Sequence, residues 1–136
     1  MNDMRFRSVT KLGLAAALLA GLATEASAAD IAVVGGRVDD PFFAVVKRGV
    51  DDAAKLGEAR GGSVNDLALQ TYENIGADAA TLIRTAIAQG AKGIAAPNWV
   101  PEAQDAAYKA ATDAGIPIIL YNAGGADKAA ELGAIN

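Results

Sequence analysis

The sequence predicts a doubly wound α/β fold built on a parallel sheet, and three observations carry that prediction. The apolar runs 31–36, 93–97 and 116–121 show no polar alternation, as expected of strands covered on both faces. Helical segments with apolar residues at helical spacing lie between the strands, so the two element types alternate along the chain. Proline and glycine stand at the junctions: Pro41 and Pro101 at first helical positions, Gly57, Gly90 and Gly115 at stops. Right-handed crossovers between parallel strands then wind the helices over the sheet.

The chain opens on a different pattern. Arg5, Arg7 and Lys11 form a basic start, residues 12–23 are an apolar run rich in Ala and Leu, and Ala26-Ser27-Ala28 supplies small residues. That order is a secretory signal peptide with cleavage after Ala28. A membrane anchor is the alternative, but the run falls short of the roughly 20 apolar residues that span a bilayer. Residues 1–28 are expected to be the signal peptide and 29–136 the folded domain.

Within that domain the first strand runs over 31–36. Asp40 suits a helix N-cap, because its carboxylate can accept from unpaired first-turn amides. The helix it opens covers 41–56, with Phe42, Val45, Val46, Val50, Ala53 and Ala54 on a helical repeat and Gly57 as its C-terminal cap. A second strand lies in 63–71, centred on 64–70 and interrupted by Asn65-Asp66. A helix follows over 76–89, turning Ala80, Ile83, Ala86 and Ile87 inward before Gly90. Strand 93–97 ends at proline, helix 101–114 ends at Gly115, and 116–121 is the most apolar strand. Residues 131–136 are expected to begin a fifth.

Composition narrows the function. The chain has no cysteine and no histidine, which removes thiol chemistry and the commonest general base and metal ligand. It carries 12 basic and 16 acidic residues, and without residues 1–28 the count is 9 against 14. An acidic, mixed surface argues against a nucleic-acid partner, whose readers cluster Lys and Arg. Gly35-Gly36-Arg37-Val38-Asp39-Asp40 lacks the later glycines of a dinucleotide fingerprint and puts acid where a pyrophosphate would sit. No cofactor is expected, and a binding protein is favoured over an enzyme.

Function in open parallel sheets concentrates at the carboxyl ends of the strands. There the sequence places Asp39, Asp40, Phe42 and Phe43, then Thr71, Tyr72, Glu73 and Asn74, then Asn98 and Trp99, then Tyr121 and Asn122. Aromatic faces pack on the C–H faces of a sugar while amides and carboxylates pair with its hydroxyls. Asp40, Phe42, Phe43, Asn98, Trp99, Tyr121 and Asn122 are the candidate ligand-binding residues. Structural alternatives stand beside them. Asp40 is also a helix cap, both phenylalanines fit a core, and Trp99 fits a cover for the sheet edge. Asn98 fits a turn between Pro97 and Pro101, and Tyr72 and Glu73 read as solvated loop.

Three segments then carry a family resemblance: Asp40-Pro41-Phe42-Phe43, Ala88-Gln89-Gly90-Ala91-Lys92-Gly93-Ile94, and Ala114-Gly115-Ile116-Pro117-Ile118. In this order after an exported first strand, they resemble the ribose-type periplasmic sugar-binding proteins of ABC importers. The resemblance implies the N-terminal lobe of a type I periplasmic binding protein, with flavodoxin-like strand order, stopping at the fifth strand. It further implies a periplasmic, non-enzymatic protein that closes by a hinge on a sugar or polyol and is presented to an ABC permease in the inner membrane. It assigns Asp40, Phe42 and Phe43 to the sugar. Two departures from the ribose pattern are Ala96, where an Asn often stands and an amide here comes only at Asn98, and Tyr121-Asn122, where many members carry Asp-Arg; the second points away from ribose itself. A periplasmic sugar-sensing lobe for a receptor is the alternative. The effector domain of a LacI-type regulator is a weaker one, since no helix-turn-helix precedes the fold.

Overall fold

The computed structural model describes residues 30–136. The expected signal peptide lies outside the described residues. The elements run β1 (Asp30–Gly35), α1 (Pro41–Glu58), β2 (Ser63–Ala68), α2 (Ile75–Ala88), β3 (Gly93–Ala96), α3 (Pro101–Asp113), β4 (Ile118–Leu120) and α4 (Gly125–Leu132). All strand pairs are parallel, in the order β2-β1-β3-β4. This is the flavodoxin-like order that the resemblance implied.

Alternation along the strands divides the sheet into two faces. Ala32, Val34, Ile94, Ala96, Ile118 and Leu120 join the main core. They pack with Ala79, Ala80, Ile83 and Ala86 of α2, with Ala107, Tyr108 and Ala111 of α3, and with Ala129 and Leu132 of α4. Small side chains let the layers approach closely. Gly76 shows how closely: a Cβ built there would stand 2.7 Å from Val100 Cβ and 2.9 Å from Ala103 Cβ, so α2 meets the start of α3 where only glycine fits. On the other face α1 covers β1 and β2. Beyond it an apolar groove of about 240 Å³, lined by Ile31, Gly93, Ala95, Pro117 and Ile119 among others, lies open.

Several expectations are corrected. Helix α1 runs past Gly57 to Glu58, and Ala59 is its C-cap; the turn is closed by Gly62 N–H donating to Gly57 O (2.9 Å) with Gly61 at φ 78°. Its sheet-facing stripe is narrower than expected. Phe43 and Val50 are buried, while Phe42, Val45 and Ala53 are exposed, because α1 covers only one edge of the sheet. Strand β2 ends at Ala68 and β4 begins at Ile118, since Pro117 has no N–H to give a ladder. The tail is mostly helix. Residues 125–132 form α4, with Ala129 and Leu132 buried three apart, and Gly133 closes it in the left-handed region. Only Ile135 then reaches the sheet, in a single parallel bridge to Ile119. The Gly124-Gly125 pair concealed that helix in the sequence. The expected stops at Gly90 (φ 80°) and Gly115 (φ 72°) are observed.

Candidate functional site

The turn between β1 and α1 is fixed by one carboxylate. Asp40 Oδ1 accepts from the N–H of Phe42 (2.8 Å) and of Phe43 (3.4 Å), as an N-cap does, and Pro41 takes the first helical position. Asp40 Oδ2 accepts from the Tyr72 hydroxyl at 2.9 Å. These bonds, the Tyr72 hydroxyl foremost, hold the Asp40 carboxyl below the usual carboxylate range. Arg37 pairs with Asp39 through Nε (2.8 Å) and Nη2, which lowers the Asp39 pKa and raises that of Arg37.

That cap sends the two rings in different directions. Phe43 is 8% exposed and Phe42 54%. Phe42 meets Phe43 edge to face, with ring centroids 5.0 Å apart, and Phe43 meets Trp99 in the same manner at 5.8 Å. The result is a ladder of three rings along the carboxyl ends of β1 and β3. It stands against backbone: a Cβ on Gly36 would lie 2.3 Å from Phe43 Cδ2 and 2.5 Å from the Tyr72 hydroxyl. Glycine at 36 is therefore what lets the ring lie against the strand end.

The remaining candidates stand apart from the ladder. Tyr121 is half-buried and turns back along the sheet, its hydroxyl donating to Val34 O at 2.6 Å. Burial raises its pKa. Asn122 follows at φ 62°, exposed, in a left-handed turn that Asn tolerates. Asn98 is only 3% exposed, and its amide donates to Asp105 Oδ1 at 2.8 Å. Its own Oδ1 is buried with no hydrogen-bond partner among the described residues. Lys128 of α4 donates to Asp105 Oδ2 at 3.0 Å, so this cluster ties the β3 turn to α4.

Sequence reasoning passed over three side chains that build the rim. Buried Gln104 donates to Pro97 O (2.7 Å) and accepts from Val100 N–H (2.9 Å), shaping the loop that carries Trp99. Its place one turn into a helix opened by Pro101 was the available signal. Tyr108 donates to Ala96 O at 2.7 Å from a fully buried position, and burial raises its pKa. Tyr72, read as solvated loop, is a bridge between two turns. Below the rim, Asp66 of β2 has its pKa raised by burial, offset in part by Lys47 Nζ at 4.0 Å.

Residues 31–136 match the family model of the periplasmic binding protein domain. Among solved structures, the chain is similar to a carbohydrate transporter from Acidothermus cellulolyticus 11B in complex with myo-inositol. The identity is 27% and the TM-score 0.63, over 78% of this chain and 35% of that one. An ABC transporter solute-binding protein from Burkholderia graminis C4D1M, in complex with D-arabinose, matches at 23% identity and TM-score 0.59, over 74% of this chain and 32% of its own. A periplasmic solute-binding protein of an ABC transporter from Actinobacillus succinogenes 130z, with bound D-allose, shares the fold at 22% identity and TM-score 0.59, over 77% and 34%. The chain thus spans about a third of the length of these structures.

Proposed function

The chain belongs to the periplasmic binding protein domain family, and on that premise we propose that it is the sugar- or polyol-binding part of an ABC importer, exported to the periplasm by residues 1–28. The observation that carries this reading is the ring ladder Phe42–Phe43–Trp99 at the carboxyl end of a parallel sheet, with half of Phe42 facing solvent. A sugar or inositol ring has C–H faces that pack on exposed aromatic faces and hydroxyls that need charged or amide partners. Asp40 has one lone-pair site beyond the three its donors use, and Asn122 stands exposed at the end of β4.

In this reading Phe42 is the stacking surface, and Phe43 and Trp99 hold it in place. Asp40 accepts from a ligand hydroxyl. Asn98 and Tyr121 shape the rim from below rather than reaching the ligand, since one is buried and the other is bonded to β1. The ligand works by selecting the closed form, which the inner-membrane permease then recognises. Nothing in that cycle makes or breaks a covalent bond, so no reaction is assigned to the chain.

The test is thermal stability of the chain with myo-inositol, pentoses and hexoses at rising concentration. A specific ligand at 100 times its Kd stabilises by about 2.7 kcal/mol. A saturable rise in Tm with one sugar or polyol, lost in Phe42→Ala, is the expected result. A flat response to every compound up to high millimolar concentration would remove the reading.

A further inference from the structure

We propose that Tyr72 is a positioning residue for the ligand-facing turn: its hydroxyl staples the turn after β1 shut and ties it to the turn after β2. The staple joins the two ends of one tight turn. Asp40 N–H donates to Arg37 O at 3.1 Å, which closes residues 37–40 into a turn. The Tyr72 hydroxyl accepts from Arg37 N–H (3.1 Å) and donates to Asp40 Oδ2 (2.9 Å), spanning the same four residues. Its bonding partners lie 35 and 32 residues away in sequence, so one oxygen couples two separate rim turns.

Two further contacts place that oxygen. Gly36 leaves the hollow it enters, since a Cβ there would come within 2.5 Å of the hydroxyl. The Arg37 guanidinium lies 6.0 Å from the centroid of the Tyr72 ring and also donates to Asp39. The hydroxyl proton is committed to Asp40, so Tyr72 acts through that carboxylate. By fixing the Asp40 rotamer it sets the cap geometry, and with it where Phe42 and Phe43 point. The ligand half of this inference rests on the function proposed above; the positioning half does not.

The charged and titratable groups facing Asp40 are Arg37 and Asp39 from its own turn and Tyr72 from the turn after β2. Tyr72→Phe on the full chain removes one oxygen from a side chain already 38% exposed. In ligand-free protein, carboxyl 13C NMR should show the Asp40 titration moving up towards the ordinary carboxylate value. With myo-inositol as probe, affinity should fall about tenfold while the ligand-free Tm stays within a few degrees. In an Asp40→Ala background, Tyr72→Phe should lower affinity no further. An unmoved Asp40 titration in Tyr72→Phe would overturn the proposal, and so would an additive loss in the double variant. If the wild-type chain does not respond to myo-inositol, the Asp40 titration alone decides whether Tyr72 positions the turn.

Discussion

Gly36→Ala tests the central packing claim about the rim. The methyl group would sit 2.3 Å from Phe43 Cδ2 and 2.5 Å from both Phe43 Cε2 and the Tyr72 hydroxyl. Real Cβ contacts are not that short, so something must move. The Phe43 ring packs edge to face with both Trp99 and Phe42, and its backbone is pinned by the Asp40 cap. Overpacking of this kind costs about 1–3 kcal/mol. In a domain of this size each kcal/mol lowers Tm by roughly 4–8 °C. The chain's only tryptophan is Trp99, whose ring centroid is 5.8 Å from that of Phe43, so its emission reports the ladder directly. Urea unfolding followed by that emission should show a lower midpoint at unchanged slope and a shifted native spectrum. The same substitution in a Phe43→Leu background should cost less, because the smaller side chain can yield. A Gly36→Ala variant with the wild-type midpoint and wild-type emission would refute the argument.

Phe42→Ala should leave stability within about 0.5 kcal/mol, as for an exposed side chain, whereas Phe43→Ala should cost roughly 3–5 kcal/mol; paired urea titrations separate the two. Asp40→Ala should destabilise by about 0.5–2 kcal/mol through loss of the cap, with Asp40→Asn in between at neutral pH, since its one oxygen can keep the cap while its amide nitrogen cannot accept from Tyr72, both by thermal melts. The Asp40 pKa is lowered on folding. Its stabilisation is therefore full above the unfolded value near ~3.9 and disappears as pH falls through the lower folded value. Urea midpoints from pH 2 to 6 should show that loss in wild type and a flatter profile in Asp40→Asn. Tyr108→Phe removes the shorter of two bonds to Ala96 O, which keeps the Tyr121 N–H at 3.3 Å, and should cost about 0.5–1.5 kcal/mol by the same melts.

The layer order and most element boundaries could be read from the chain because they rest on local signals. Pro41 and Pro101 mark helix starts, Gly90 and Gly115 mark stops, and residues 93–97 are apolar enough to be nothing but a buried strand. Helix α4 was hidden because Gly124 and Gly125 read as loop, while its buried pair Ala129 and Leu132 is too short a pattern to stand alone. The site was legible only in part. Their place at a helix start favoured at least one of Phe42 and Phe43 facing outward, with a core place for both as the alternative, and the structure exposes Phe42 and buries Phe43. What Asn98, Tyr72 and Tyr121 do was not visible. Each is decided by a partner far along the chain or on another element: Asp105 for Asn98, Arg37 and Asp40 for Tyr72, and Val34 for Tyr121. Periodicity carries no information about such pairings.

Tyr121 has a consequence for how the rim breathes. Its hydroxyl leaves the end of β4, passes over the intervening strand β3, and closes on Val34 O of β1. The two strands are thereby strapped at the same end although no backbone ladder joins them. Proteins open locally in contiguous cooperative units of differing stability. Here release of β4 also costs the bond to Val34, which lies in the strand that carries the β1–α1 turn. Hydrogen exchange at the β4 end and at the base of that turn should therefore share one opening rate, and Tyr121→Phe should split it into two.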